Sequence, residues 1–207
     1  MSILKTLRSC IAAAILLTLP VVAQAAPLKV VNVGAPASNC VYSTTCTITV
    51  NDSVGNIPLP GISGTARLQS RSFAGAAGAP AAGKFGFLYR VDLTQAIGNS
   101  TRPCVSTLKL DFGPLIKFSY VKDAPASDVY VITSGGLGTV GIASADKTGN
   151  IITFTFAKPV CAGSDSDKGE TSYFFGLTGP AAPKAVTAQM QVVGGPLLDV
   201  PARVPTH

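Results

Sequence analysis

Four of the five cysteines (the fifth, Cys10, lies in an apolar N-terminal leader), a single histidine and one short acidic loop hold most of the side chains that could do chemistry in this chain. Cys40, Cys46, Cys104 and Cys161 lie downstream of that leader, and no Cys-x-x-Cys pair occurs among them. Four cysteines in an exported chain imply two structural disulfides, with three connectivities open. We prefer Cys40–Cys46 and Cys104–Cys161. The first closes a small loop over Val41-Tyr42-Ser43-Thr44-Thr45; the second ties the start of one strand to the end of another. On the chain-entropy model these links stabilise by roughly 2 and 4 kcal/mol.

The only histidine is His207, the last residue. A terminal side chain is ordered only where something ties it down, so Ser-His-Asp, Cys-His and multi-histidine zinc arrangements lose their usual form. Paired carboxylates could still hydrolyse a glycoside, where two acids flank the bond. Asp92 and Asp111 fall on the polar phase of alternating runs, which reads more plainly as the wet face of a sheet. The chain has no Trp, so an aromatic sugar platform would rest on Tyr or Phe. Tyr42 is a candidate for such a ligand loop, and its plainer reading is packing over a neighbouring strand.

Asp165-Ser166-Asp167-Lys168-Gly169-Glu170 is the densest polar cluster. Asp165, Asp167 and Glu170 could offer oxygens to Ca2+. Gly169 falls one place early for an EF-hand loop and Lys168 opposes a cation, so the site is weak and the plainer reading is a solvated loop. No other cofactor is expected. Gly136-Leu137-Gly138-Thr139-Val140-Gly141 matches G-x-G-x-x-G, but a strand-like run follows it where a dinucleotide fold needs a helix. Asn51-Asp52-Ser53 and Asn99-Ser100-Thr101 match the glycosylation pattern and matter only in a host that uses it.

The elements that must position these groups read as strands. Phe85, Phe87, Tyr89, Val91 and Leu93 alternate with Gly86, Leu88, Arg90 and Asp92. Similar alternation covers 108–112, 116–120, 152–156, 173–177 and 186–192, with shorter runs at 28–33, 45–50, 65–73, 129–133 and 139–143. Period two buries one face and wets the other. Turn residues separate the runs at Asn51-Asp52-Ser53, Gly113-Pro114, Lys147-Thr148-Gly149-Asn150 and Gly179-Pro180. Leu93–Ile97 is the one helix candidate. Ala74–Lys84, reading AGAAGAPAAGK, is expected to be a mobile connection. The pattern predicts an all-β fold: an antiparallel two-sheet sandwich, Ig-like or jelly-roll-like, of about ten strands.

Residues 1–25 read as a signal peptide. Lys5 and Arg8 precede an apolar stretch from Ile11 to Val22, and Ala23-Gln24-Ala25 supplies a small-x-small cleavage site. The stretch is shorter than the roughly 20 residues that span a bilayer. Residues 26–207 are then one exported domain, periplasmic, cell-surface or secreted, with no membrane span expected. Net charge is +6 and falls to +4 without Lys5 and Arg8. The cations are scattered, unlike a nucleic-acid surface, so no nucleic-acid partner is expected. Charged residues make up only 13% of the chain and Glu170 is the sole Glu, which suits strands over exposed helices.

These features point first to a non-enzymatic surface, matrix or adhesion-type protein. The alternative is a periplasmic or extracellular module for a small ligand or glycan, and a carboxylate hydrolase comes third. Non-reducing peptide mapping of the exported protein should start at Ala26, find no free thiol, and recover Cys40 with Cys46 and Cys104 with Cys161.

Overall fold

The computed structural model describes residues 24–165 and 167–207. The expected leader lies outside them except for Gln24 and Ala25. Two six-stranded sheets pack face to face. The first runs in the order β1 (Ala26–Pro27), β8 (Ile142–Thr148), β9 (Ile151–Cys161), β6 (Cys104–Asp111), β11 (Pro183–Val192), β12 (Leu197–Pro205). The second runs β2 (Val30–Gly34), β7 (Val129–Ser134), β10 (Phe174–Gly179), β5 (Phe85–Gly98), β4 (Ile62–Ala74), β3 (Asn51–Asn56). The all-β sandwich expected from the alternation is the observed architecture, with twelve strands among the described residues.

Alternation builds the shared core. In β11, Ala188, Met190 and Val192 are buried while Thr187 and Gln189 are exposed. Phe87, Tyr89, Phe154 and Phe175 fill the space between the sheets, with the Phe154 and Phe175 ring centroids 4.8 Å apart. Each large side chain buried there contributes about 1.5–3 kcal/mol. Both preferred disulfides are present, and Cys104 sits directly opposite Cys161 in the β6–β9 ladder.

One strand pair departs from the antiparallel expectation. β2 runs parallel to β7, because the chain leaves the first sheet after β1 and crosses at Leu28-Lys29 to the edge of the second. Asp128 pins the crossing. Its carboxylate accepts the Lys29 N–H at 2.9 Å and faces Lys117 Nζ at 3.1 Å, while only 2% exposed.

Four local expectations are corrected. Leu93–Ile97 is not a helical turn but the continuation of β5, held because Ile62 to Thr65 of β4 pair with Gly98 to Gln95. The helix is instead α1 (Ala35–Tyr42), a short element with Pro near its N-terminus, where the fixed φ of proline is tolerated. Asn51-Asp52-Ser53 is not a turn; it opens β3, a polar edge strand that exists through its ladder with β4, whereas 45–50 forms no strand. Ile116 to Tyr120 makes only isolated bridges, Ile116 to Thr178 and Phe118 to Ser127.

The Ala74–Lys84 connection is docked rather than loose. Ala79 and Ala81 are buried, the Ala81 N–H donates to Val41 O at 2.9 Å, and the Ala76 N–H donates to Tyr42 O at 2.8 Å. Its small residues let backbone lie on backbone: a Cβ on Gly75 would fall 1.8 Å from Ala81 O.

The sandwich closes along a seam where β3 meets β12. A Cβ on Gly55 would lie 2.3 Å from Pro201 O, whereas one on Gly141 would meet nothing nearer than 4.0 Å. Gly55→Ala should therefore lower stability by about 1–3 kcal/mol, read as a lower thermal midpoint by circular dichroism. Gly141→Ala should melt close to wild type. Equal midpoints for wild type and Gly55→Ala would remove the seam.

Candidate functional site

The outer face of the second sheet carries a cleft of about 340 Å3. Its floor comes from the outward phase of three neighbouring strands. Leu88 of β5, Ile132 of β7 and Phe174 of β10 are 3%, 5% and 4% exposed. Phe174 stands opposite Ile132 in the ladder, and Gly176, which lacks a side chain, stands opposite Leu88. One wall is α1, through Ala35 and Asn39. The other is the return of the chain at Ile48 and Val50, which the Cys40–Cys46 link draws back toward the helix. The Gly135-Gly136-Leu137 turn closes the far end, and Leu137 stands 60% exposed on its lip.

Arg71 of β4 is the one charged residue lining the cleft among the described residues. Its guanidinium carbon lies 4.6 Å from the Phe174 ring centroid, and that of Arg90 lies 5.2 Å from it. Guanidinium on an aromatic face gains electrostatically and holds the ring in place. Arg71 also donates to Asp52, Nε to Oδ1 at 2.7 Å and Nη2 to Oδ2 at 3.1 Å. Arg90 donates to Gln69 Oε1 at 3.2 Å and Asp92 Oδ2 at 3.0 Å. An apolar floor with a few convergent polar groups is the usual composition of a ligand site.

Beside the cleft the outer face is sealed. Tyr42, Tyr120 and Tyr130 form a buried aromatic group, with the Tyr120 and Tyr130 centroids 4.3 Å apart. The Tyr42 hydroxyl pairs with Thr178 Oγ1, and Tyr120 Oη lies 2.7 Å from the same oxygen. Tyr42 is 1% exposed and meets Phe73 edge-on at 4.7 Å. The helix turns the Tyr42 ring down onto the sheet, not out to solvent.

The other candidates are dispersed. His207 is tied down, with Nε2 3.2 Å from Asp111 Oδ1 and Nδ1 3.0 Å from Pro205 O. Both ring nitrogens face those acceptors rather than a nucleophile. Asp92 and Asp111 lie on different sheets, so they do not flank a common bond. In the acidic loop, Asp167 Oδ2 accepts from Ser164 Oγ at 3.4 Å. Partial burial works against the Glu170 charge, but hydrogen bonds from Lys158 Nζ at 2.7 Å and the Cys161 N–H at 3.0 Å outweigh it and hold the carboxyl below the usual range. Asp165, Asp167 and Glu170 do not converge: among the described residues no group of three His, Cys, Asp or Glu side chains could hold a metal ion. Nor is any helix among them long and apolar enough to cross a membrane. A second groove, of about 600 Å3, crosses the outer face of the first sheet past Lys109, Asp111, Gln189 and Asp199 and carries no aromatic side chain.

Sequence reasoning placed none of the cleft residues in a site. A signal was present: Leu88 and Phe174 are large apolar residues on the phase of their strands assigned to water.

Burial raises the hydroxyls of Tyr42, Tyr89, Tyr120 and Tyr130 above their ordinary value of 10, and nearby tyrosines push those of Tyr42, Tyr120 and Tyr130 further up. The folded state therefore holds these protons more tightly than the unfolded chain. Their stabilisation is complete below about pH 10 and is lost as pH rises past it. In an alkaline titration, tyrosinate absorbance from these four should grow only as near-ultraviolet dichroism collapses. Reversible ionisation of all five tyrosines in a folded chain would contradict this burial.

Compared with known proteins, the chain matches no family model, no curated protein and no solved structure.

Proposed function

We propose that residues 26–207 are an exported, non-enzymatic binding module that takes a small ligand in the cleft over Phe174. One observation carries this reading: an open cleft on the outer strand face is lined mainly by apolar side chains, Ile48, Val50, Leu88, Ile132, Leu137 and Phe174, with Leu137 60% exposed on its lip. The rest of that face is covered by the chain itself, through Tyr42, Phe73 and Ala81. The side chains that could catalyse are engaged elsewhere. The four cysteines among the described residues are paired and His207 faces Asp111 and backbone. Disulfides suit an oxidising compartment, in keeping with the leader.

A surface, matrix or adhesion role is the second reading, and a different observation favours it. β2, reading VVNVG, is an edge strand with neither charge nor proline. The other three edges carry Pro27 in β1, Asp52 in β3 and Asp199, Pro201 and Arg203 in β12, devices that discourage strand addition.

A thermal-shift screen of the mature protein against apolar and amphipathic small molecules separates the two. The binding reading expects hits that raise the melting temperature of wild type and lose their effect in Leu137→Asp, a change on the exposed lip. A screen without hits, in a protein that forms strand-mediated assemblies, would overturn it in favour of the second.

A further inference from the structure

The chemistry of the cleft fits one ligand class closely, and resting on the binding reading above, we infer that it takes a small monocarboxylate with an apolar body, which docks its anionic end at Arg71. Three observations converge. Arg71 is the one charged residue in the lining among the described residues, and Asp52 engages only its Nε and one Nη2 donor, so N–H donors remain for an anionic group. The floor is aliphatic and aromatic, which favours an apolar body over a sugar or a free inorganic anion. The volume, about 340 Å3, lies near the lower end of the roughly 300–1,000 Å3 typical of ligand pockets, which suits a compact or medium-chain acid.

Arg71 is already arranged to grip a carboxylate. Asp52 occupies its Nε–Nη2 edge in a two-pronged pair, the geometry that guanidinium groups use for carboxylates. That edge is one of several the planar fork offers, because five N–H donors are available and Asp52 engages two. The pair is also partly open to water, with the Arg71 and Asp52 side chains 30% and 38% exposed. Water at the pair screens its attraction. Asp52 thus acts as an internal competitor for the headgroup. Phe174, held under both guanidinium groups, keeps Arg71 over the apolar floor, so one side chain joins the two halves of the site.

The test measures displacement of the uncharged fluorophore N-phenyl-1-naphthylamine from the mature, disulfide-bonded protein by decanoate and by 1-decanol. Decanoate should bind about tenfold more tightly than decanol, the scale of one charge-assisted hydrogen bond. Arg71→Met, which keeps an apolar stem over Phe174, should erase that difference while decanol binding persists. Asp52→Asn should strengthen decanoate binding several-fold and leave decanol unchanged, and a misfolded variant would not produce that gain. Equal affinities for acid and alcohol, or a decanoate preference that survives Arg71→Met, would overturn the carboxylate assignment and leave the cleft standing as an apolar site. Failure of both molecules and of the dye to bind would remove the binding reading itself. Binding to anionic vesicles with none to monomeric decanoate would reassign the surface to a membrane and overturn the inference.

Discussion

Strand β10 presents Phe175 and Leu177 to the space between the sheets and Phe174, Gly176 and Thr178 to the opposite side, and all six of its residues are buried. A strand dry on both faces needs two covers. The first sheet supplies one. The other has to come from connections, and this demand organises α1, the small-residue loop after β4 and the segment that carries Phe118 and Tyr120. The Tyr42 and Tyr120 hydroxyls that the cover brings with it pair with Thr178 of the strand, whereas the buried Tyr130 hydroxyl beside them has no partner among the described residues. The cleft lies in this second cover, between α1, Ile48, Val50 and the Gly135-Gly136-Leu137 turn.

The two disulfides serve different parts of this arrangement. Cys104–Cys161 reinforces a ladder that already exists, at the point where β6 and β9 begin and end. Cys40–Cys46 holds no strand at all. It fixes the exit of α1, and Cys46 adopts a positive φ of 57° there, so the chain doubles back and Ile48 and Val50 can wall the cleft. A helix of eight residues would be marginal on its own. Here its packing on the sheet, the crosslink and the docked alanines replace the length it lacks.

Much of the first layer was legible in the residues, and much of the second was not. Period-two alternation identifies β5, β6, β9 and β11 because each has one face on the shared core. β12 escaped that reading because Pro201 and Pro205 argue against a strand, yet β12 is an edge, paired only with β11, and an edge tolerates a missing N–H. β3 escaped for the converse reason: its polar residues favour a turn, and only pairing with β4 makes them a strand. The helix escaped because eight residues leave too few turns for a periodicity. The cleft escaped because it is assembled from the outward phase of three strands, a coincidence in space that no single run displays. Leu88 and Phe174 were the visible trace of it, two apolar residues in the wrong register for a wet surface.

The crossing from β1 to β2 bears on how the chain reaches this state. Val30 pairs with Val129 and Ala26 with Lys147, so the earliest strands to be synthesised have partners that are made about a hundred residues later. At the far end of the chain, β12 seals the opposite seam against Gly55. Each seam is thus closed by a strand from one extremity of the described chain: the first waits for β7 and β8, the second for β12. Long-range pairings of this kind slow folding, because loop closure must precede the contacts that reward it. A growing chain of this topology gains little lasting structure from its first strands, and an uncharged VVNVG segment stays open to water or to a chaperone until β7 has been made. Assembly is consequently an event of the described domain as a whole rather than of its first strands.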